Sequence, residues 1–473
     1  MGNICVKSDN YTVDEPIAAL ATPWGESAIA VIRTSGKGIF PLLDKIFRGK
    51  TRINAATPYS VVYGRIIAPS SDKNDEGIID EVLVSVFRAP HSYTGEDSAE
   101  ISCHGGIPII RKILEILFSI GFRPAKPGEF TFRAFLNGKL DLTRAEAVNE
   151  LIRAKTDTAR ELALHRLEGA IEKRIDGIKR HLVDVLSAIE VRLDYPEEEL
   201  EEEDEIFIDF GKLGELKNSL RDLIGSFEVG KIYQEGVSVV LAGRTNAGKS
   251  TLFNLLLREE RAIVSEVHGT TRDYIEGSIS ISDIPVKLFD TAGLRESLDP
   301  VEAEGIKRTT RVIENADLVL YVVDAVDGVT DEDRERLREF SSRKTSERII
   351  GVWNKVDIAR KKVPSGFVAI SAVTGEGLSD LIDRMKECIL KADSLGFSVK
   401  SGAPVIDSIR QRELLESSLE SIERFEVGIR ENDPLDVVAV YLQEAVSALG
   451  EITGEVTSAD ILNNIFSKFC VGK

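Results

Sequence analysis

The run Val237-Ser238-Val239-Val240-Leu241-Ala242 leads into Gly243-x4-Gly248-Lys249-Ser250 and then into a helix-forming stretch. In that context the glycines let backbone N–H groups turn inward onto phosphate oxygens. The helix N-terminus adds positive potential. Asn246, Ala247, Gly248, Lys249, Ser250 and Thr251 are thereby placed against a nucleotide. Lys249 is expected to reach the β- and γ-phosphates and Ser250 to ligate Mg²⁺.

Three further segments follow in a fixed order. His268-Gly269-Thr270-Thr271-Arg272-Asp273 comes first, with Thr271 as the switch threonine that reaches Mg²⁺. Ser265, Glu266 and Val267 lead into it and are placed in the same nucleotide site. Asp290-Thr291-Ala292-Gly293 ends a strand pattern, with Asp290 near Mg²⁺ and Gly293 near the γ-phosphate. Asn354-Lys355-Val356-Asp357 suits a guanine edge: Asp357 accepts from the ring N–H and the exocyclic NH₂, and Asn354 contacts the purine. Ser371-Ala372-Val373 supplies a second backbone contact. The set predicts a GTP site.

Two positions depart from a Ras-like site. Leu294 stands directly after Gly293, where a glutamine would orient the attacking water. Arg295, Glu296, Asp299, Glu302 and Glu304 are all candidates for that task, and local chemistry does not rank them. Asn246, inside the phosphate loop, reads either as turn chemistry or as a carbonyl ligand for a second cation.

A thiol near the C-terminus is the other group with chemical potential. Cys470-Val471-Gly472-Lys473 has a prenylation outline, but Gly472 is not aliphatic and Lys473 is an unusual last residue. A frayed tail and a functional thiol carried on an arm are the alternatives. Four scattered cysteines argue against a disulfide framework or zinc site and for a reducing cytoplasm. The start does not read as a signal peptide, and Val6 breaks a myristoylation pattern. No apolar run approaches the ~18 residues of a membrane span. The net charge of −19 argues against generic nucleic-acid affinity, though not against a local basic face. Part of it sits in the acidic run Pro196–Glu205, which reads as a solvated linker.

The elements that must hold these groups fall into successive textures. To about Phe135, short β-patterned runs surround one helix, IPIIRKILEILFSIG, which is an α+β pattern. From Asp141 to about Leu193 apolar residues recur at helical spacing. Strand and helix alternate from Gly236 to about Lys391, and helical spacing returns from Asp407. The expected architecture is multidomain: an α+β N-terminal domain (1–135), a discontinuous all-α domain (136–234 and 393–473) and an inserted α/β Ras-like P-loop domain (235–392). The pair Cys103-His104, within CHGG, reads as a turn, and Cys388 with Leu381 and Met385 as core. His165 and His181 have no visible acid–base partner.

The segments IAALATPWG, TGEDSAEISCHGG, PGEFTFRAFLNGKLDLTRAEAV, GRTNAGKSTLFN, GTTRD, DTAGLRE and FCVGK together resemble the bacterial and organellar MnmE (TrmE) tRNA-modification GTPases over essentially the whole chain. The resemblance implies K⁺ bound by Asn246 with Ser265, Val267 and Thr270. It selects Glu302 as the water-orienting carboxylate. It implies a tetrahydrofolate derivative (5-formyl or 5,10-methylene) at Arg33, Glu100 and Lys139, with Lys473 nearby, and a homodimer through the N-terminal domain. It makes Cys470 a thiol needed for modification. The implied activity, with an MnmG-like FAD protein in a heterotetramer, is addition of a carboxymethylaminomethyl-type group to C5 of the wobble uridine of certain tRNAs. Thr245 stands where the family usually has proline, and Val373 where a basic residue often follows Ser-Ala. The alternative from another class is an Era-like switch that binds RNA or ribosomes and modifies nothing.

If Asn246 holds a cation of K⁺ size, that ion can stabilise charge developing between the β- and γ-phosphates. GTP turnover is then expected to be much faster in KCl than in NaCl, with the difference lost in Asn246→Ala. Equal wild-type rates in the two salts contradict the reading.

Overall fold

Period-two patterning buries one face of a sheet, and the first third of the chain uses it. The computed structural model describes residues 15–68, 77–194, 209–259, 276–290, 316–343, 348–359, 361–391 and 403–473. In chain order the first elements are β1 (Ile17–Leu20), β2 (Ser27–Ser35), α1 (Ile39–Ile46), β3 (Phe47–Gly49), β4 (Ser60–Ile67), β5 (Ile78–Phe87), β6 (Ser98–Gly105), α2 (Ile107–Ser119) and β7 (Arg123–Pro124). They form one sheet in the order β3-β4-β5-β6-β2-β1-β7, antiparallel except for the β1/β7 pair. Ile39, Leu43 and Ile46 of α1 and Ile110, Ile113 and Leu117 of α2 join Ile32, Val84 and Ile101 in a core with no water access. Each such side chain contributes roughly 1.5–3 kcal/mol by burial. The β2/β6 register sets Arg33 directly opposite Glu100.

Cys103 and His104 are not in a turn. Both lie in β6, which is paired on each side. The two glycines that follow suggested a bend, but Gly105 has a different reason: a Cβ there would meet Ser27 of the neighbouring strand at 2.2 Å. Cys103 points inward, where burial and then the Asp80 charge push its thiol up to about 11. His104 points outward, and its Nδ1 pairs with Asp80 at 2.7 Å.

Helices follow: α3 (Glu129–Leu136), α4 (Leu142–Arg153), α5 (Asp157–Leu167), α6 (Ala170–Asp194), α7 (Phe210–Gly225) and α8 (Phe227–Glu235). α3 buries charge on purpose. Glu129 and Arg133, one turn apart, are both fully buried and bond at 3.0 Å. Arg123 closes on Glu129, and Arg133 also donates to Glu96 and to the Glu15 carbonyl.

The second sheet has the order β13-β12-β11-β8-β10-β9, parallel except for β9. Its elements are β8 (Val237–Gly243), α9 (Lys249–Glu259), β9 (Glu276–Ile281), β10 (Ile284–Asp290), β11 (Leu318–Asp324), α10 (Asp331–Arg343), β12 (Ile349–Asn354), β13 (Phe367–Ile370) and α11 (Leu378–Lys391). Its central strands are apolar on both faces, as buried parallel strands require. Cys388 packs at the edge of this core beside the buried Leu381 and Met385. α12 (Ile409–Glu431), α13 (Leu435–Thr453) and α14 (Ala459–Ser467) complete the chain, and α13 packs along α6. Two compact units result, residues 1–152 with 166–210 and 417–473, and residues 153–165 with 211–416. No helix among the described residues is long and apolar enough to cross a membrane.

Burial pushes the Glu129 carboxyl up, but bonds from Arg123, the Lys126 N–H and Arg133 outweigh it and hold it below the ordinary range. A depressed carboxyl contributes stability above its unfolded pKa and loses it as pH falls through the folded value. Glu129→Gln is expected to cost about 3–5 kcal/mol at neutral pH, because Arg133 loses a buried partner. It should also flatten the fall in stability towards acid. Denaturant unfolding at a series of pH values reads both, and an acid limb identical to wild type contradicts the assignment.

Candidate functional site

Geometry explains the residue types of the phosphate loop. Gly243 (φ +139°) has no room for a side chain, since a Cβ would sit 2.2 Å from the Val322 carbonyl of β11. At Gly248 (φ +95°) a Cβ would meet the Asn354 amide at 2.1 Å. Asn246 is left-handed at φ +63°, a conformation asparagine tolerates, and its side chain is exposed. Lys249 opens α9 and is buried, with Nζ donating to the Gly243 and Arg244 carbonyls at 3.1 and 2.7 Å. Ala247 is buried and Thr251 exposed.

Ser250 Oγ donates to Asp290 Oδ2 at 2.7 Å, so the ends of α9 and β10 meet. A hydroxyl and a carboxylate are hard oxygen donors, and this pair fits Mg²⁺. Asn354 is buried and acts as a strut. Its amide nitrogen donates to the Ala247 carbonyl at 2.8 Å, and its oxygen accepts from the Ala372 N–H at 3.0 Å. Lys355 (φ +71°) donates to the Asn246 carbonyl and to Asp324 of β11, at 2.8 and 2.7 Å. Two adjacent side chains thus tie the phosphate loop to the loops carrying Asp357 and Ser371-Ala372-Val373. The Val356 N–H bonds the Ile370 carbonyl, Ser371 is buried, and Asp357 and Val373 are exposed. Ser265, Glu266, Val267, His268, Gly269, Thr270, Thr271, Thr291, Ala292, Gly293 and Glu302 lie outside the described residues.

A second constellation forms around Arg33. Its Nε and Nη2 meet Glu100 Oε1 at 3.0 and 2.9 Å, and its Nη1 donates to the Gly472 carbonyl at 3.0 Å. The guanidinium lies over the rings of Tyr93 and Phe130, 5.6 and 5.7 Å from their centroids. Burial, then the Arg33 charge, hold the Lys473 ammonium below its ordinary pKa, while Glu100 opposes them. Lys139 donates to the Pro90 carbonyl at 3.2 Å, at the far end of the loop that carries Tyr93. Cys470 is exposed, and its carbonyl accepts from the Gly128 N–H at 3.4 Å. Phe466 and Phe469 anchor the tail against Phe132 and Phe135.

Residues 16–139 match the family model described as GTP-binding protein TrmE N-terminus, and residues 142–470 match the MnmE helical domain. A Carboxydothermus hydrogenoformans protein named tRNA modification GTPase MnmE is 41 % identical over 475 residues, covering 98 % of this chain and 100 % of its own. The chain belongs to the MnmE family of tRNA modification GTPases. An Aquifex aeolicus MnmE is 42 % identical over 97 % of this chain and 100 % of its own. The solved G domain of the T. maritima FeoB iron transporter is 28 % identical over 32 % of this chain and 98 % of its own, with a TM-score of 0.25. As an MnmE family member the protein is a GTPase with an α+β N-terminal domain, an all-α domain and a Ras-like P-loop domain.

Sequence reasoning missed several supporting residues in this MnmE-type site. Asp324, which holds Lys355, ends an apolar strand just as Asp290 does, and that position was the available signal. Glu129 and Arg133 sit among the aromatics of EFTFRAFL, a helix too apolar to be solvent-facing, so charges there had to be paired.

Asn354→Ala removes both strut bonds at once. With each bond contributing ~1 kcal/mol net, GTP affinity is expected to fall about 30-fold with secondary structure unchanged. Nucleotide binding by fluorescence titration reads this, and wild-type affinity in the variant contradicts the strut.

Proposed function

We propose that the protein hydrolyses GTP in a K⁺-dependent cycle that serves addition of a carboxymethylaminomethyl-type group to C5 of the wobble uridine in certain tRNAs. The partner is an MnmG-like FAD protein, joined in a heterotetramer to a homodimer formed through the N-terminal domain, in the cytoplasm. The partition at 1–135, 136–234, 235–392 and 393–473 belongs to the same reading. The named relatives support the tRNA substrate. One observation carries the finer chemistry: the Gly472 carbonyl rests on Arg33, and the same tail presents an exposed thiol at Cys470.

In the nucleotide site Ser250 and Thr271 hold Mg²⁺ beside Asp290, and Lys249 neutralises phosphate charge. Asn246, Ser265, Val267 and Thr270 hold K⁺, and Glu302 orients the attacking water, the task that Leu294 cannot perform. In the N-terminal domain a tetrahydrofolate derivative (5-formyl or 5,10-methylene) supplies a one-carbon unit when bound. Arg33, Lys139 and Lys473 are the cations for its glutamate carboxylates, and Glu100 is the acceptor for pterin N–H groups. The donor set fits: Arg33 keeps N–H groups beyond those given to Glu100 and Gly472, and the partly exposed Tyr93 ring offers flat apolar surface. The buried Cys103 thiol, held protonated, serves no such chemistry.

Cys470→Ser changes volume little and weakens the nucleophile greatly. The variant is expected to fold, bind 5-formyltetrahydrofolate and hydrolyse GTP like wild type, while tRNA from cells carrying only this form lacks the modified wobble uridine. Nucleoside mass analysis of that tRNA is the measurement. Fully modified tRNA overturns the role of the thiol.

A further inference from the structure

Strands β9 and β10 are joined by the two-residue turn Ser282-Asp283, with Ile281 paired to Ile284. Both turn residues have positive φ, +49° and +69°, as a tight hairpin of this kind requires. The Asp283 carboxylate reaches away from its own hairpin. Oδ1 accepts the Asp157 N–H at 3.3 Å and Oδ2 accepts the Thr158 N–H at 2.5 Å. These are the first two N–H groups of α5. The third, Ala159, bonds the Thr156 hydroxyl at 3.3 Å. Helix α5 therefore completes its N-terminal cap with a side chain borrowed from a sheet hairpin 125 positions away. The negative charge also sits on the positive end of the helix dipole.

The opposite end of β10 carries Asp290, bonded to Ser250 at the head of α9. Between the two aspartates β10 is laddered to β8 on one side and β9 on the other. A strand held on both edges transmits a displacement along its length instead of absorbing it. Tyr233, at the end of α8, lies close enough that the Asp283 charge adds to burial in raising its phenol pKa. The turn thus holds α5, while its strand β10 packs against α8, which leads through Gly236 into β8 and the phosphate loop.

We propose that the β9–β10 hairpin couples the nucleotide site to α5, with Asp283 as the positioning residue that makes the connection. By linkage, a nucleotide that shifts the Asp290 end changes the hold on α5, and the state of α5 changes nucleotide preference by the same factor.

The test is hydrogen exchange at the Asp157 and Thr158 amides in the full-length protein, loaded with GDP or with a non-hydrolysable GTP analogue. Wild type is expected to show different protection in the two states. Asp283→Gly suits φ +69° better than aspartate does, so it keeps the turn and deletes only the carboxylate. In that variant the two amides should exchange about fivefold faster, as expected for a lost cap. Their rates should be equal in the two nucleotide states, and by reciprocity the ratio of GDP to GTP-analogue affinity should shift from its wild-type value. Asp283→Asn retains one acceptor oxygen and should restore part of the difference, which a merely structural role does not predict. Equal wild-type protection in both states, or a difference that persists in Asp283→Gly, overturns the proposal.

Discussion

The hydrogen bond from Arg33 to the Gly472 carbonyl constrains the topology of the whole chain. Its partners are 439 positions apart, yet they meet in one compact unit with Glu100. Everything between must leave and return, so the nucleotide-binding sheet can only be an excursion from a body that the two ends close. Loop-closure entropy grows slowly with length, and so large an excursion costs little more than a short one. The apolar seam of Phe132, Phe135, Phe466 and Phe469 offsets that cost. Gly472 has φ +96°, and a Cβ there would lie 2.5 Å from the Leu20 carbonyl, so the tail can approach this closely only with glycine at that position.

Below the tail lies a chain of paired charges, Glu96, Arg133, Glu129 and Arg123, with Arg133 and Glu129 at its centre fully buried. Such networks are poor sources of net stability but hold a single arrangement, because any slip leaves a buried charge unpaired. Here they fix α3 and the loop carrying Tyr93, the two elements that present Phe130 and Tyr93 to Arg33. The nucleotide site follows the same logic with an amide and one ion pair, Lys355 with Asp324. Asn354 and Lys355 bridge three loops, so a ligand that meets them meets preset positions.

Much of this was legible in the sequence wherever the determinants are local. The strand-loop-helix of the phosphate loop and the IPIIRKILEILFSIG helix are short-range patterns, and each forms where its spacing placed it. Contacts spanning a hundred positions were not legible. The strut role of Asn354 and the cap that Asp283 lends to α5 depend on which loops the sheet order brings together. CHGG misled for a related reason: Gly105 resembles a turn residue in one dimension and is a close-approach residue in three. Arg33 and Glu100 look ordinary along the chain, and only the family resemblance singled them out before their cross-strand register was known.

The central claim is that the tail thiol and a bound folate share one site at Arg33. Alkylation of Cys470 by a small maleimide, followed by peptide mass analysis, tests it most directly. Cys388, half-buried in the same molecule, serves as the reference. Saturating 5-formyltetrahydrofolate is expected to slow modification of Cys470 strongly while leaving Cys388 unchanged. A Cys470 rate that is the same with and without the folate would contradict a shared site.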